Sequence, residues 1–298
     1  MHPKVLADAY LRGENITSLL RTLDASDRNS EATIETAYDL QAGSYVAALS
    51  DPAIKAHKAA YGAAIAHELL QLTEPTSLLE AGVGEGTTLS FVLKGLELPD
   101  LHAHGFDLSW SRIATCRDWL ASQAVGEPTL AVASLLHLPY ASDAFDIVYT
   151  AHTIEPNGGN EAAVLSELYR VTSRYLVLLE PGYELASDEA RARMERLGYC
   201  RDLPGVAASL GMKVTRHELF AHSVNPLNPT AITIIEKRPA APPATPAFAC
   251  PNFGDPLFAI GGALFLPDSL RAYPTLGGIP CLRQQDAVIA SAFARSAR

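Results

Sequence analysis

The sequence predicts a doubly wound α/β fold: a seven-stranded, mostly parallel sheet with an N-terminal helical arm and a small C-terminal β-rich domain. Three observations carry this expectation. From Ser77 onward, strand-like apolar runs alternate with helical patterns, the order that builds a parallel sheet covered by helices on both faces. Runs such as Leu176-Val177-Leu178-Leu179 are apolar at every position, as strands buried on both faces are. Finally, the apolar run Ser77–Ala81 feeds Gly82, Gly84 and Gly86, and a helical pattern follows at once. That is a strand turning tightly into a helix through residues free to take positive φ.

A chain of 298 residues suits one large domain with an appendage, or two domains. Its net charge of −10 disfavours a sequence-independent grip on nucleic acid, which needs clustered Lys and Arg. The four cysteines (Cys116, Cys200, Cys250, Cys281) are widely spaced and read as reduced thiols. No N-terminal stretch has the pattern of a signal peptide, and no run reaches the ~18 apolar residues of a membrane span. A cytoplasmic protein is expected.

Residues 1–50 read as a helical arm and lid, with Leu19-Leu20-Leu23 as a short apolar stripe. Asp51-Pro52 is an N-cap followed by Pro at the first helical position, and the helix it starts places Ile54, Tyr61, Ile65 and Leu69 near one face. Strands are expected at Ser77–Ala81, Ala103–Asp107, Leu130–Ser134, Asp146–Ala151 and Tyr175–Glu180. Helices are expected between them at Thr88–Leu96, Ser111–Ala121 and Glu161–Thr172, the middle one burying Ile113, Cys116 and Leu120. A further helix at Asp188–Gly198 ends on glycine, and strands at Lys213–Leu219 and Ala231–Lys237 complete residues 51–238. Arg238–Pro246 holds four prolines, so residues 239–247 read as a semi-rigid linker to a small domain at 248–298.

The glycine turn does not suit a phosphate. The dinucleotide pattern wants glycine where Thr87 stands, and the Gly-Lys-Ser/Thr of a P-loop is absent. Two carboxylates, Glu80 and Glu85, flank the turn instead; they would repel a pyrophosphate and suit a cation. Downstream, Asp107 ends the second strand about 20 residues past the turn, where an acid can accept bonds from ribose hydroxyls.

Glu80-Ala-Gly-Val-Gly-Glu-Gly-Thr87, Phe106-Asp107-Leu108-Ser109 and Leu138-Pro139-Tyr140 followed by Phe145-Asp146-Ile147-Val148 together resemble the class I methyltransferases that use S-adenosylmethionine (SAM). The three motifs stand in that family's order and spacing over roughly Thr76–Arg238. The resemblance implies a Rossmann-like methyltransferase fold with SAM as cofactor, and a closing β-hairpin as the source of the last two strands. It places Glu80, Gly82 and Gly84 at the methionine end of the cofactor, with Glu85 and Gly86 beside the turn. Asp107 would hold the ribose and Leu108 pack on the adenine. Ser134, followed by Leu135, stands where the family commonly has an aspartate beside the adenine amine. Tyr38, Gln41 and Tyr45 are lid residues by the same resemblance, or else tyrosines packed in an ordinary helix.

In doubly wound sheets ligands meet the chain just past the carboxyl ends of the strands. His152 and Glu155, after the fourth strand, are therefore the candidates for catalysis. Histidine is suited to proton transfer near neutrality, though a wall role fits His152 as well. Tyr183, His222 and Asn225 are the candidates on the acceptor side. The tail resembles the small zinc-ribbon-like domains that activate, or are fused to, methyltransferases, through its Cys250-Pro start, Pro256-Leu257 and Tyr273-Pro…Gly278-Ile-Pro280. A ribbon needs two pairs of ligands, and Phe253 stands where the partner thiolate belongs. We expect no metal there, but an apolar core of Phe253, Phe258, Phe265 and Leu266. Methylation of a small-molecule oxygen or nitrogen acceptor, such as a sugar or natural-product intermediate, is the leading expectation, with self-association left open. An RNA or protein methyltransferase recruiting through the tail, and a SAM-binding scaffold without turnover, are the alternatives.

Overall fold

The computed structural model describes residues 3–238 and 245–293. The proline-rich linker expected at 239–247 falls mostly on residues 239–244, outside the described residues. Four helices precede the core. Helix α1 (Pro3–Leu11) and α2 (Ile16–Leu23) pack on α3 (Glu31–Asp39) through Leu6, Ala9, Ile16 and Ala37, and the one-turn α4 (Ser44–Ala48) follows. Asn15 and Ser30 cap α2 and α3 by accepting Ser18 N (2.8 Å) and Thr33 N (3.1 Å), bonds that occupy otherwise unpaired first-turn donors.

Helix α5 (Pro52–Leu72) begins on the Asp51 cap and buries Tyr61, Ile65 and Leu69. Ile54 departs from the expectation: it is 42% exposed, because the helix meets the core only from Tyr61 onward.

The α/β units follow as β1 (Ser77–Ala81), α6 (Thr87–Leu96), β2 (His102–Asp107), α7 (Trp110–Gln123), β3 (Thr129–Val132), β4 (Phe145–Ala151), α8 (Glu161–Val171) and β5 (Thr172–Pro181). Next come α9 (Asp188–Leu197), α10 (Leu203–Ser209), β6 (Lys213–Leu219) and β7 (Thr230–Glu236). The sheet order is β3-β2-β1-β4-β5-β7-β6. Strands β1 to β5 pair in parallel, whereas β7 is antiparallel to both β5 and β6. Sequence explains which member of the closing hairpin goes inside. Strand β7 is apolar along Ala231-Ile-Thr-Ile-Ile235 and is buried, while β6 carries Lys213, Arg216 and Glu218, charges that protect an exposed edge. Helix α10 was not expected; Pro204-Gly205 in its first turn hides its helical pattern.

The chain winds outward from β1 to β3 on one side and from β4 on the other. The crevice between the ends of β1 and β4 is thus the switch point where doubly wound sheets bind ligands. No helix among the described residues is long and apolar enough to cross a membrane.

The C-terminal unit is a small antiparallel sheet of β8 (Phe258–Ile260), β9 (Ala263–Leu266), β10 (Arg271–Leu276), β11 (Ile279–Pro280) and β12 (Val288–Ile289). It packs against the β3 edge of the large sheet. Cys281 bridges Val132 in parallel, Leu282 N donates to Val132 O (2.8 Å), and Ala249 N donates to Pro139 O (2.8 Å). Ala131 of β3 shares a core with Cys250, Leu266, Tyr273 and Leu282. This corrects the expected core. Phe265 and Leu266 are buried, but Phe253 and Phe258 are 59% and 55% exposed. The space is filled by Tyr273, whose hydroxyl lies 3.3 Å from the Cys250 thiol and donates to Asn252 (2.9 Å). No group of three or more potential metal ligands clusters among the described residues.

Candidate active site

The apolar residues of β1 and β2 place two acids at their carboxyl ends. Glu80 is 2% exposed and accepts the Tyr149 hydroxyl at 2.7 Å. Burial pushes its carboxyl up to about 8, against the pull of the Tyr149 bond and the Lys58 charge. Asp107 accepts Gly84 N (3.1 Å) on one oxygen and Ser109 N (2.9 Å) on the other, so the turn and the start of α7 are fixed together. Gly82 and Gly84 both lie in the left-handed region, at φ +70° and +56°. Close approach compounds the requirement. A Cβ on Gly82 would stand 2.0 Å from Thr153 Cγ2, and one on Gly84 would stand 2.7 Å from Arg112.

The roof comes from α3 and α4. The Arg112 guanidinium, from the first turn of α7, sits 5.2 Å from the Tyr38 ring centre and 4.7 Å from that of Tyr45. Such stacking stabilises a cation through the ring faces, beside the charges of Asp107 and Glu85 that also favour it. Glu85 is 1% exposed and accepts Gly43 N (3.0 Å) and Val46 N (2.8 Å). Its negative charge therefore caps α4, the favourable end of a helix for an anion, and ties the roof to the glycine turn.

The floor past β4 holds a polar chain. His152, at φ +57°, pairs with Glu155 through Nδ1 (2.7 Å) and with the Thr230 hydroxyl through Nε2 (2.8 Å). Glu155 also accepts from Asn228 (3.0 Å), and the buried Glu180 accepts the backbone N–H groups of Thr153 and Glu155 (2.9 and 3.1 Å). Burial acts to lower the His152 pKa, but the Glu155 bond and the charges of Glu155 and Glu180 outweigh it and raise the value. Burial likewise pushes Glu155 up, and its bonds to His152, Tyr199 and Asn228 bring it below the ordinary value.

These groups meet around one cavity of about 370 Å³. Of the residues predicted from sequence, Glu80, Gly82, Gly84, Glu85, Asp107, Leu108 and Leu135 line it, as do Tyr38, Tyr45, His152, Glu155, His222 and Asn225. Four do not. Gly86 backs onto Cys116 and Leu120 of α7. Gln41 borders a smaller cavity behind Tyr38. The Ser134 hydroxyl is taken by Glu31 of α3 and also accepts Leu136 N (3.0 Å). Tyr183 turns to Glu195 and stacks near Arg191 and Arg201.

Sequence reasoning missed Lys58, Arg112 and Glu31, which also line the cavity. Lys58 lies three residues before Tyr61 on the α5 face that packs inward, a legible oddity for a lysine. Burial lowers its pKa, with Glu80 opposing. Arg112 lies one turn past the Ser109 cap, whose hydroxyl accepts Arg112 N at 3.2 Å.

Sheet order, reversed seventh strand and acid-flanked glycine turn define the architecture of the SAM-dependent methyltransferases. Residues 78–174 match the family model of a methyltransferase domain, which together with the fold supports a SAM-dependent methyltransferase. No curated protein matches the chain. Among solved structures, a putative O-methyltransferase from Nostoc punctiforme PCC 73102 is similar at 13% identity and a TM-score of 0.52, over 67% of this chain and 60% of that one. Magnesium protoporphyrin IX methyltransferase from Synechocystis PCC 6803, with bound S-adenosylhomocysteine (SAH), aligns at 15% identity and a TM-score of 0.49, over 61% and 84%. A putative methyltransferase from Bacillus halodurans C-125 aligns at 13% identity and a TM-score of 0.46, over 59% and 98%.

Proposed function

We propose that this protein methylates an oxygen or nitrogen nucleophile of a small molecule, such as a sugar or natural-product intermediate, within the roofed cavity. One observation carries the reading: the two strand-end acids and the His152–Glu155 pair line the same cavity. The side chains there fit SAM. Its ammonium and sulfonium call for a carboxylate, which Glu80 supplies, and its carboxylate calls for a cation, which Arg112 or Lys58 supplies. SAM brings a methyl group already activated by the sulfonium charge.

The chain's own work is then alignment and exclusion of water. Asp107 holds the ribose hydroxyls, Leu108 and Leu135 flank the purine, and Tyr38 and Tyr45 close the roof. His152, oriented by Glu155 through Nδ1, presents Nε2 to the acceptor's proton once the Thr230 hydroxyl yields its place. His222 and Asn225, on the loop between β6 and β7, form the acceptor's wall. The C-terminal unit, in this reading, is a zinc-ribbon-like fold whose metal has given way to the Tyr273-centred core.

Calorimetric titration with SAH tests the cofactor assignment. Wild-type protein should bind, and Asp107→Ala should weaken binding at least tenfold. Unchanged affinity in the variant removes Asp107 from the site, and no binding by wild type removes the whole reading.

A further inference from the structure

We propose that the C-terminal unit sets the position of the roof, with Arg283 as a positioning residue that holds α3 over the cofactor. The proposal rests on the methyltransferase reading only for the identity of the ligand beneath that roof.

Arg283 follows the two residues that join the C-terminal unit to β3, so its backbone is fixed to the edge of the large sheet through the Leu282–Val132 bond. Its side chain is 17% exposed. One side of the guanidinium grips Asp286, at 2.9 to 3.2 Å, and Asp286 in turn accepts Arg283 N (3.0 Å). The other side crosses to α3 and pairs with Glu35 at 2.6 Å. A planar fork held on one side presents the other at a fixed place and angle.

Glu35 lies beside the residues of α3 that face the cavity. Glu31, Ile34 and Tyr38 line it at helical spacing, and Glu35 flanks that row on the side of the C-terminal unit. A nine-residue helix has little stability of its own, so its place depends on its tethers. Among the other tethers that secure the roof are Glu31 to Ser134, Asp39 accepting the Ser109 hydroxyl (2.7 Å), and Glu85 capping α4. Of these four, only Glu35–Arg283 joins opposite full charges. A shift of α3 carries Tyr38 off Arg112, and Arg112 stands against Gly84 of the cofactor turn. Arg283 thus acts on the cofactor site through α3, touching no ligand itself.

The two halves of the pair are not equivalent. Arg283→Gln leaves Glu35 beside Asp286, two acids without their shared cation, so the roof is pushed outward. Glu35→Gln removes the tether and leaves Arg283 held by Asp286, with the C-terminal unit intact.

The test is SAH titration combined with hydrogen exchange of the α3 and α4 amides, on full-length wild type, both single variants and the double variant. Arg283→Gln should weaken SAH binding about tenfold, between the cost of breaking an exposed pair and a buried one. Glu35→Gln should weaken it about threefold, and the double variant should be no weaker than Arg283→Gln. Exchange in α3 and α4 should rise in each, with β1, β4 and β5 unchanged. SAH affinity within twofold of wild type in both single variants overturns the proposal, as does faster exchange confined to the C-terminal unit. Should Arg283→Gln fail to fold, Glu35→Gln decides alone. If wild type binds no SAH, the cofactor reading fails, and α3 exchange in Glu35→Gln still decides whether the pair holds the roof.

Discussion

Cofactor affinity should climb with pH, and Glu80→Gln should abolish the climb. Burial at the end of β1 drives the Glu80 carboxyl to about 8, so the free protein at neutral pH holds it mostly protonated. An ammonium in the proposed subsite calls for the carboxylate. With a value of about 8, about 1% of the protein is ionised at Glu80 at pH 6 and about half at pH 8. SAH affinity should therefore rise by up to about fiftyfold over that span, about 2.3 kcal/mol. Below pH 7 each binding event should release close to one proton, which calorimetry reads by comparing buffers of different ionisation heat. Tyr149→Phe removes the bond that favours the carboxylate and should move the climb to higher pH. The sign for stability is opposite. The folded value lies above the ordinary 4.5, so between about pH 4.5 and 8 the ligand-free protein binds more protons than its unfolded chain, and its stability falls as pH rises. Wild-type affinity that stays flat from pH 6 to 8, or a Glu80→Gln variant that keeps the slope, would refute this reasoning.

Three further outcomes test other parts of the site. His152→Ala should reduce single-turnover methylation of candidate acceptors by about a hundredfold or more, while SAH affinity changes less than threefold. Because Glu155 raises the His152 pKa, the rate of the wild-type enzyme should increase through pH values above 6.5. Glu155→Gln should move that limb to lower pH and slow the plateau; an unmoved limb in the pH–rate profile removes the pair from proton transfer. Gly82→Ala forces a Cβ to 2.0 Å from Thr153 at φ +70° and should cost about 2–4 kcal/mol in urea unfolding. A loss below about 1 kcal/mol would show that the turn has slack.

Much of the core was legible because its signals are local. Ser77–Ala81 and Lys213–Leu219 match the expected strands residue for residue, and the Asp51 cap is where the sequence places it. That Glu80 and Asp107 reach the cavity was legible for the same reason: both sit at strand ends, and a strand end fixes where its side chains go. What eluded sequence reasoning depends on contacts between distant segments. Glu85 reads as an acid awaiting a cation, yet it caps a helix some forty residues upstream. Ser134 reads as an adenine neighbour, yet its hydroxyl is taken by Glu31, which belongs to an arm with no predicted docking site. Phe253 and Phe258 are apolar in sequence but lie outside a core that Tyr273 already fills. Volume, unlike periodicity, leaves no pattern along the chain.

The pairing of Cys281 and Leu282 onto β3 has a consequence for biogenesis. The Val132 carbonyl on the β3 edge accepts Leu282 N, a bond that cannot form while residue 282 is still inside the ribosome. Until then the β3 border offers open hydrogen-bonding groups beside Ala131, the kind of edge that pairs with the wrong neighbour. A chain cut short before residue 281 would therefore leave this stretch of the β3 border unpaired.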